Sequence, residues 1–149
     1  MSSLIPVNEN KEQYMELLLI GDEQENMILR YLERCELYAL CDEDEVCGVC
    51  AVTDEGGGVL EIKNIAIRPE CQRRGLGKLI IELIAVRYSG RYSVLRAGTG
   101  DSPLTVPFYE NCGFTRAYTI PDFFTDNYDH PIFEGGVQLR DMIYFEKEI

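Results

Sequence analysis

The sequence predicts an α/β domain built on one mixed, mostly antiparallel, twisted sheet. Runs with a strand period alternate with runs of helical period along all 149 residues, and that alternation stacks helices on a sheet. Several strand-like runs are separated only by short turns, so neighbours pair as hairpins. One junction differs: residues 60–67 lead into Gln72-Arg73-Arg74-Gly75-Leu76-Gly77, which opens an amphipathic helix.

Residues 4–7 read as a short first strand. Asn8 or Asn10 supplies a cap for a helix through about Ile20, where Tyr14, Leu17 and Leu18 recur at three and four residues. Gly21-Asp22 breaks it. A second helix over about 23–34 carries Met27, Ile28, Tyr31 and Leu32 on one face. The period then changes to strand at 37–41 and 46–53, on either side of the acidic turn 42–45, and again at 60–67 after Asp54-Glu55-Gly56-Gly57-Gly58. The next helix, about 78–88, is flanked by Leu76 and presents Leu79, Ile80, Leu83 and Ile84 to the sheet, ending at Ser89-Gly90. A strand at 92–97, a loop at 98–101 and a short helix near Pro107 follow, proline being suited to a first helical turn. Residues 114–120 and 142–148 read as the last two strands, joined by a long loop containing Pro121, Pro131 and Gly135-Gly136. The sum is six to seven strands and about four helices in a single domain over 1–149.

The turn at 72–77 carries the chemistry. A strand that ends in a glycine-bearing turn and opens a helix aims free N–H groups, backed by the positive helix end, at one spot. Glycine lets a phosphate approach the main chain. The local charge is also reversed. The chain has 14 Lys+Arg and 26 Asp+Glu, a net charge of −12, yet Lys63, Arg68, Arg73, Arg74 and Lys78 face only Glu70 in the same stretch. Such an island suits a polyphosphate; the plainer alternative is a solvated helix start. A P-loop is excluded because Leu79, rather than Ser or Thr, follows Gly77-Lys78. A dinucleotide fingerprint is excluded because Ile80 stands where its third glycine belongs.

The run Glu61-Ile62-Lys63-Asn64-Ile65-Ala66-Ile67-Arg68-Pro69 followed by Gln72-Arg73-Arg74-Gly75-Leu76-Gly77 resembles the acetyl-CoA-binding motif of the GNAT superfamily of N-acetyltransferases. Downstream, Phe108-Tyr109-Glu110-Asn111-Cys112-Gly113-Phe114 is similar to that family's Tyr-x-x-x-Gly-Phe phrase. The resemblance spans about residues 45–115. It implies a sheet splayed at its central strands, where the pantetheine arm of acetyl-CoA pairs with the main chain of Ile65, Ala66 and Ile67. It also implies a diphosphate resting on the N–H groups of Gln72, Arg73, Arg74, Gly75, Leu76, Gly77 and Lys78. Tyr109 corresponds to the tyrosine that protonates the departing sulfur; without the motif it reads as a packing residue beside Phe108. Glu61, six residues before Ile67, stands where protein-acetylating members carry their general base; otherwise it is an exposed strand-start carboxylate. Many relatives place an asparagine after the fifth strand to meet the pantetheine, whereas Asp101 and Ser102 occupy that loop here.

The implied function is transfer of an acetyl group from acetyl-CoA to a primary amine of a small molecule or protein, by direct transfer. An acetyl-cysteine route through Cys112 lacks a neighbouring histidine or cation in the sequence. The alternative is a non-catalytic acyl-CoA-binding module of the same fold. Acceptor choice falls to the first two helices and the segment 121–137, which holds Phe123, Phe124, Asp126, Tyr128, Asp129 and His130. That segment is expected to favour a cation with some apolar body, or else to form a packed loop or homodimer contact.

The acidic balance speaks against a nucleic-acid partner. No apolar run approaches the ~20 residues of a membrane helix, and no leader is visible, so a cytoplasmic location with free thiols is expected for the six cysteines. Cys47-Gly48-Val49-Cys50 has zinc-knuckle spacing. It lies in a strand, however, where residues three apart face opposite sides, and no second pair completes a ligand set, so no metal is expected.

Overall fold

Sequence period and sheet order agree closely. In the computed structural model, which describes residues 1–149, the strands are β1 (Ser2–Val7), β2 (Glu36–Asp42), β3 (Glu45–Gly56), β4 (Val59–Ile67), β5 (Val94–Gly100), β6 (Thr115–Ile120), β7 (Phe133–Glu134), β8 (Val137–Gln138) and β9 (Met142–Glu148). Seven of them form one open sheet in the order β1-β2-β3-β4-β5-β9-β6. Every pairing is antiparallel except β4 with β5. The acidic tip between β2 and β3 turns through Glu43 and Asp44, both left-handed at φ 52 and 66, which matches the strands' own twist.

Helices cover both faces. On one, α1 (Met15–Gly21), α2 (Glu25–Leu29) and the turns at 30–34 that replace the rest of the expected second helix bury Leu18, Ile28 and Leu32 against Val49, Ala51 and Ala66. On the other, α3 (Leu76–Tyr88) buries Ile80, Ile81, Ile84 and Tyr88 completely. Each such side chain is worth about 1.5–3 kcal/mol. Leu79 and Leu83, expected on that face, sit at its partly buried margin. The short α4 (Val106–Asn111) completes this layer, with Pro107 in its first turn.

Four local expectations are corrected. The first helix enters through a 3₁₀ turn at Lys11–Tyr14, and Asn10, left-handed at φ 56, makes no side-chain cap. Lys11 Nζ instead ties this entry to the end of the second helical segment, donating to the carbonyls of Leu32, Glu33 and Cys35. Residues 98–100 continue β5 because they pair with β9, Gly98 opposite Tyr144. The long segment before β9 contains a fifth helix, α5 (Phe123–Asn127), and the β7–β8 hairpin. These close on their own small core of Phe124, Ile132 and Leu139.

The fourth correction concerns Cys47 and Cys50. A register shift between Leu40 and Cys41 leaves Cys47 as an extra residue in β3. Both cysteines therefore enter the same core, under α3. The partner of Cys47 is Cys71, sulfur to sulfur 2.6 Å, and both are free thiols.

Candidate active site

A second bulge builds the site. Ala51 pairs with Asn64 but Val52 pairs with Ile62, so Lys63 is an extra residue in β4. Before it, Leu60 and Ile62 face the α3 core; after it, Asn64 and Ala66 turn to the α1–α2 side. The strands part at the same place. β4 pairs with β5 only from Val59 to Ile62. Beyond that, β4 keeps β3 as far as Ile67 while β5 follows β9 to Gly100. On this side Ile65, Ala66 and Ile67 offer main-chain groups that β5 does not use.

Past β4 the chain makes a 3₁₀ turn at Pro69–Cys71 and reaches α3 through Gly75, left-handed at φ 75. Glycine adopts that conformation without strain. The first intrahelical bond runs from Leu79 N–H to the Gly75 carbonyl, so the N–H groups of Leu76, Gly77 and Lys78 have no helical partner. Gly77 lies against a ring: a Cβ there would sit 3.1 Å from Phe108 Cε1.

Three adjoining cavities follow from this parting. An outer groove of about 580 Å³ runs along Ile65–Ile67 and the turn, with Gln72, Arg73 and Lys78 on its wall. A central cavity of about 290 Å³ shares Ile65, Ile67, Gly77 and Phe108 with it and adds Tyr109 and Glu134. A third, of about 270 Å³, shares Asp22, Lys63, Tyr128 and Met142 with the central one. Glu61, Arg30, Phe123 and Tyr144 line only this third space.

Tyr109 is buried, its ring stacked near Phe145 and edge-on to Phe114. Its hydroxyl makes no hydrogen bond within the protein yet is not sealed off, since the ring lines the central cavity. Burial first, then the Cys50 and Cys112 thiols and the Glu134 carboxylate, push its phenol above the ordinary tyrosine range. It therefore remains a hydrogen-bond donor. Glu134 Oε2 is buried in the same cavity without any hydrogen-bond partner. Asp22, where the two inner cavities meet, accepts the Tyr128 hydroxyl at 2.5 Å. Burial raises its carboxyl above the usual value against that hydrogen bond.

The expected residues divide. Ile65, Ala66, Ile67, Gln72, Arg73, Gly75, Leu76, Gly77 and Lys78 all line the outer groove. Arg74 does not: it turns back to Asp42 at 3.4 Å, beside the Cys47 sulfur. Asp101 is exposed near Arg116, and Ser102 is buried with its Oγ accepting the Leu104 N–H, so neither faces the cavities. Glu61 is buried, with one oxygen 2.8 Å from Lys63 Nζ and the other 3.7 Å from Arg96. Asp126 and Asp129 do not face the third cavity; Asp129 pairs with His130 at the surface.

Asp22, Arg30 and Glu134 were not singled out by the sequence as site residues, and Lys63 was read only as part of the basic island beside the turn. Asp22 read as a helix breaker, and Glu134 lies in a segment read as loop. Only the folding of three distant segments onto one another brings them together.

Comparison with known proteins is consistent with this geometry. Residues 33–116 match the family model described as acetyltransferase (GNAT) domain. YvbK of Bacillus subtilis (strain 168), an uncharacterized N-acetyltransferase, is 34% identical over 137 residues, covering 91% of this chain and 88% of that protein. Among solved structures, a GNAT family acetyltransferase from Elizabethkingia anophelis with acetyl-CoA bound superposes with a TM-score of 0.93 at 29% identity, covering 99% of this chain and 98% of that one. A Bacillus subtilis acetyltransferase in complex with CoA gives 0.89 at 31% identity, covering 100% and 99%.

Proposed function

The chain belongs to the GNAT acetyltransferases, and from that premise we propose that it moves an acetyl group from acetyl-CoA to a primary amine by direct transfer. The observation that carries this reading is the parting of β4 from β5 beyond Ile62, continuous with the glycine turn. The thioester supplies the acetyl group. Main-chain groups of Ile65, Ala66 and Ile67 hold the arm and polarise the acetyl carbonyl. Free N–H groups at Leu76, Gly77 and Lys78 take the diphosphate, with Arg73 and Lys78 as nearby cations.

Tyr109 stands on the wall of the central cavity with its proton in place. In this reading it donates to the sulfur as negative charge develops there. The amine enters from the third cavity, where Asp22 meets its ammonium at the junction. Glu61 acts at one remove, through water at the cavity wall, because Lys63 stands against one of its oxygens. Cys112 is not a nucleophile here: burial raises its thiol above the ordinary range, and it does not line the central cavity. The cytoplasm is the compartment that supplies such a reaction with acetyl-CoA.

Calorimetry with acetyl-CoA, followed by CoA thiol release over a panel of primary amines, tests the proposal. Binding with turnover that Tyr109→Phe and Glu61→Gln both lower is expected. Tight binding with no turnover on any amine assigns the chain instead to acyl-CoA binding alone. Absence of binding removes the reading altogether.

A further inference from the structure

Given acetyl transfer to an amine, we infer that the third cavity selects amines that also carry an anionic group, with Arg30 as the anion-binding residue. The preferred acceptors are then zwitterions of amino-acid type, not polyamines or simple cations.

The charge inside this cavity runs against the charge of the chain. A protein of net −12 places three cations, Arg30, Arg34 and Lys63, and two carboxylates, Asp22 and Glu61, around it. Two of the cations are already neutralised: Lys63 by Glu61 at 2.8 Å, and Arg34 by Glu55 at 3.1 Å. Arg30 has no ion-pair partner in the chain. Arg30 follows the last residue of α2 and is exposed at the rim of the cavity, where its Nη1 reaches Asn127 Oδ1, at the end of α5, at 3.3 Å. The guanidinium lies at the meeting of the two segments that wall the cavity. A guanidinium so placed has donors left for a planar carboxylate, which it binds through two parallel hydrogen bonds.

Position separates the two charges in the order the reaction needs. Asp22 lines both the central and third cavities, so an ammonium beside it is on the thioester side. Arg30 lines only the third, so an anion beside it is on the far side. An acceptor with an amine at one end and a carboxylate a few bonds away spans the pair. A polyamine would bring its second ammonium against Arg30, a like-charge contact. Met27, Phe123 and Tyr144 supply an apolar wall for the acceptor's side chain. At about 270 Å³ the space lies near the small end of ligand pockets, ~300–1,000 Å³, which suits a single residue.

The experiment compares L-phenylalanine, L-phenylalaninamide, phenethylamine and spermidine. It reads both CoA thiol release and calorimetric binding to the CoA-loaded protein. We expect phenylalanine to exceed its amide at least tenfold in kcat/KM and in affinity. Arg30→Gln should shrink that ratio below threefold, and Arg30→Glu should invert it and raise spermidine above phenylalanine. If the amide or phenethylamine equals phenylalanine in the unsubstituted chain, the inference is overturned and acetyl transfer stands. If no amine releases thiol, acetyl transfer fails, and the binding ratio and its dependence on Arg30 decide the inference by themselves.

Discussion

The outer groove and the third cavity both lie along β4, yet they are made of different material. The groove is main chain: the unpaired edge of Ile65–Ile67 and the N–H groups that open α3. The cavity beyond it is side chain, gathered from α1–α2, β4, and the segment between β6 and β9. A backbone site needs a glycine, a turn and a helix start in one short stretch. A side-chain site needs only that distant residues arrive together, so its identity is free to vary on the same scaffold.

Four substitutions probe that division. The largest effect belongs to Tyr109→Phe, which keeps the ring packing on Phe145 and Phe114 but removes the donor. A loss of roughly 100-fold in kcat is expected, with acetyl-CoA affinity by calorimetry near that of the parent. Equal kcat would move the site's acid elsewhere. Gly77→Val places a branched side chain against Phe108, 3.1 Å from where its Cβ would lie, and over the phosphate cradle. Forfeiting one charge-assisted hydrogen bond weakens CoA binding about 30-fold. Retained affinity would mean that the diphosphate rests elsewhere.

Asp22→Asn tests the acceptor side. Loss of its charge at the junction should lower kcat/KM for amines roughly tenfold while sparing CoA binding. Stability moves the opposite way. Burial raises the Asp22 carboxyl, so the folded chain holds that proton more tightly than the unfolded one. The resulting stability is fully present below the unfolded value near 4 and is lost as pH rises through the folded value. The variant's thermal midpoint should therefore lie above the parent's at pH 7, and the gap should close as pH falls. A gap that widens in acid would reverse the assignment. The smallest effect is expected for Asp101→Asn, within about twofold in both CoA affinity and kcat, because that carboxylate is exposed and outside the groove.

The same division explains what could be read in advance. Strand and helix order followed from period, because α3 and the central strands bury nearly all of one face. The groove was legible because left-handed backbone at position 75 and close approach at 77 leave glycine as the fitting residue. The side chain of Arg74 leaves the groove for a reason of the same kind. Spacing shows that a cation is near the turn, but the left-handed Arg73, at φ 66, sends the next side chain back towards Asp42. Glu61 could be picked out by its spacing from Ile67, but Arg96, 35 positions further along the chain, enters its surroundings only through the parallel β4–β5 pairing. The segment 121–137 hid its order because its small core closes on Leu139, beyond its own end. Glu134, with one oxygen unpartnered in the central cavity, carries no local signal at all.

The bulge at Lys63 has one more consequence. A single inserted position reverses which side of the sheet the rest of β4 addresses, so Glu61 and Lys63 line the third cavity while Ile65 and Ile67 line the outer groove. Under the proposed function, selection can rewrite acceptor preference through residues upstream of this hinge in the pleat and leave the groove downstream untouched. Removing that one residue would exchange the two surfaces at a stroke, which makes its length, more than its chemistry, the part of this strand least open to change.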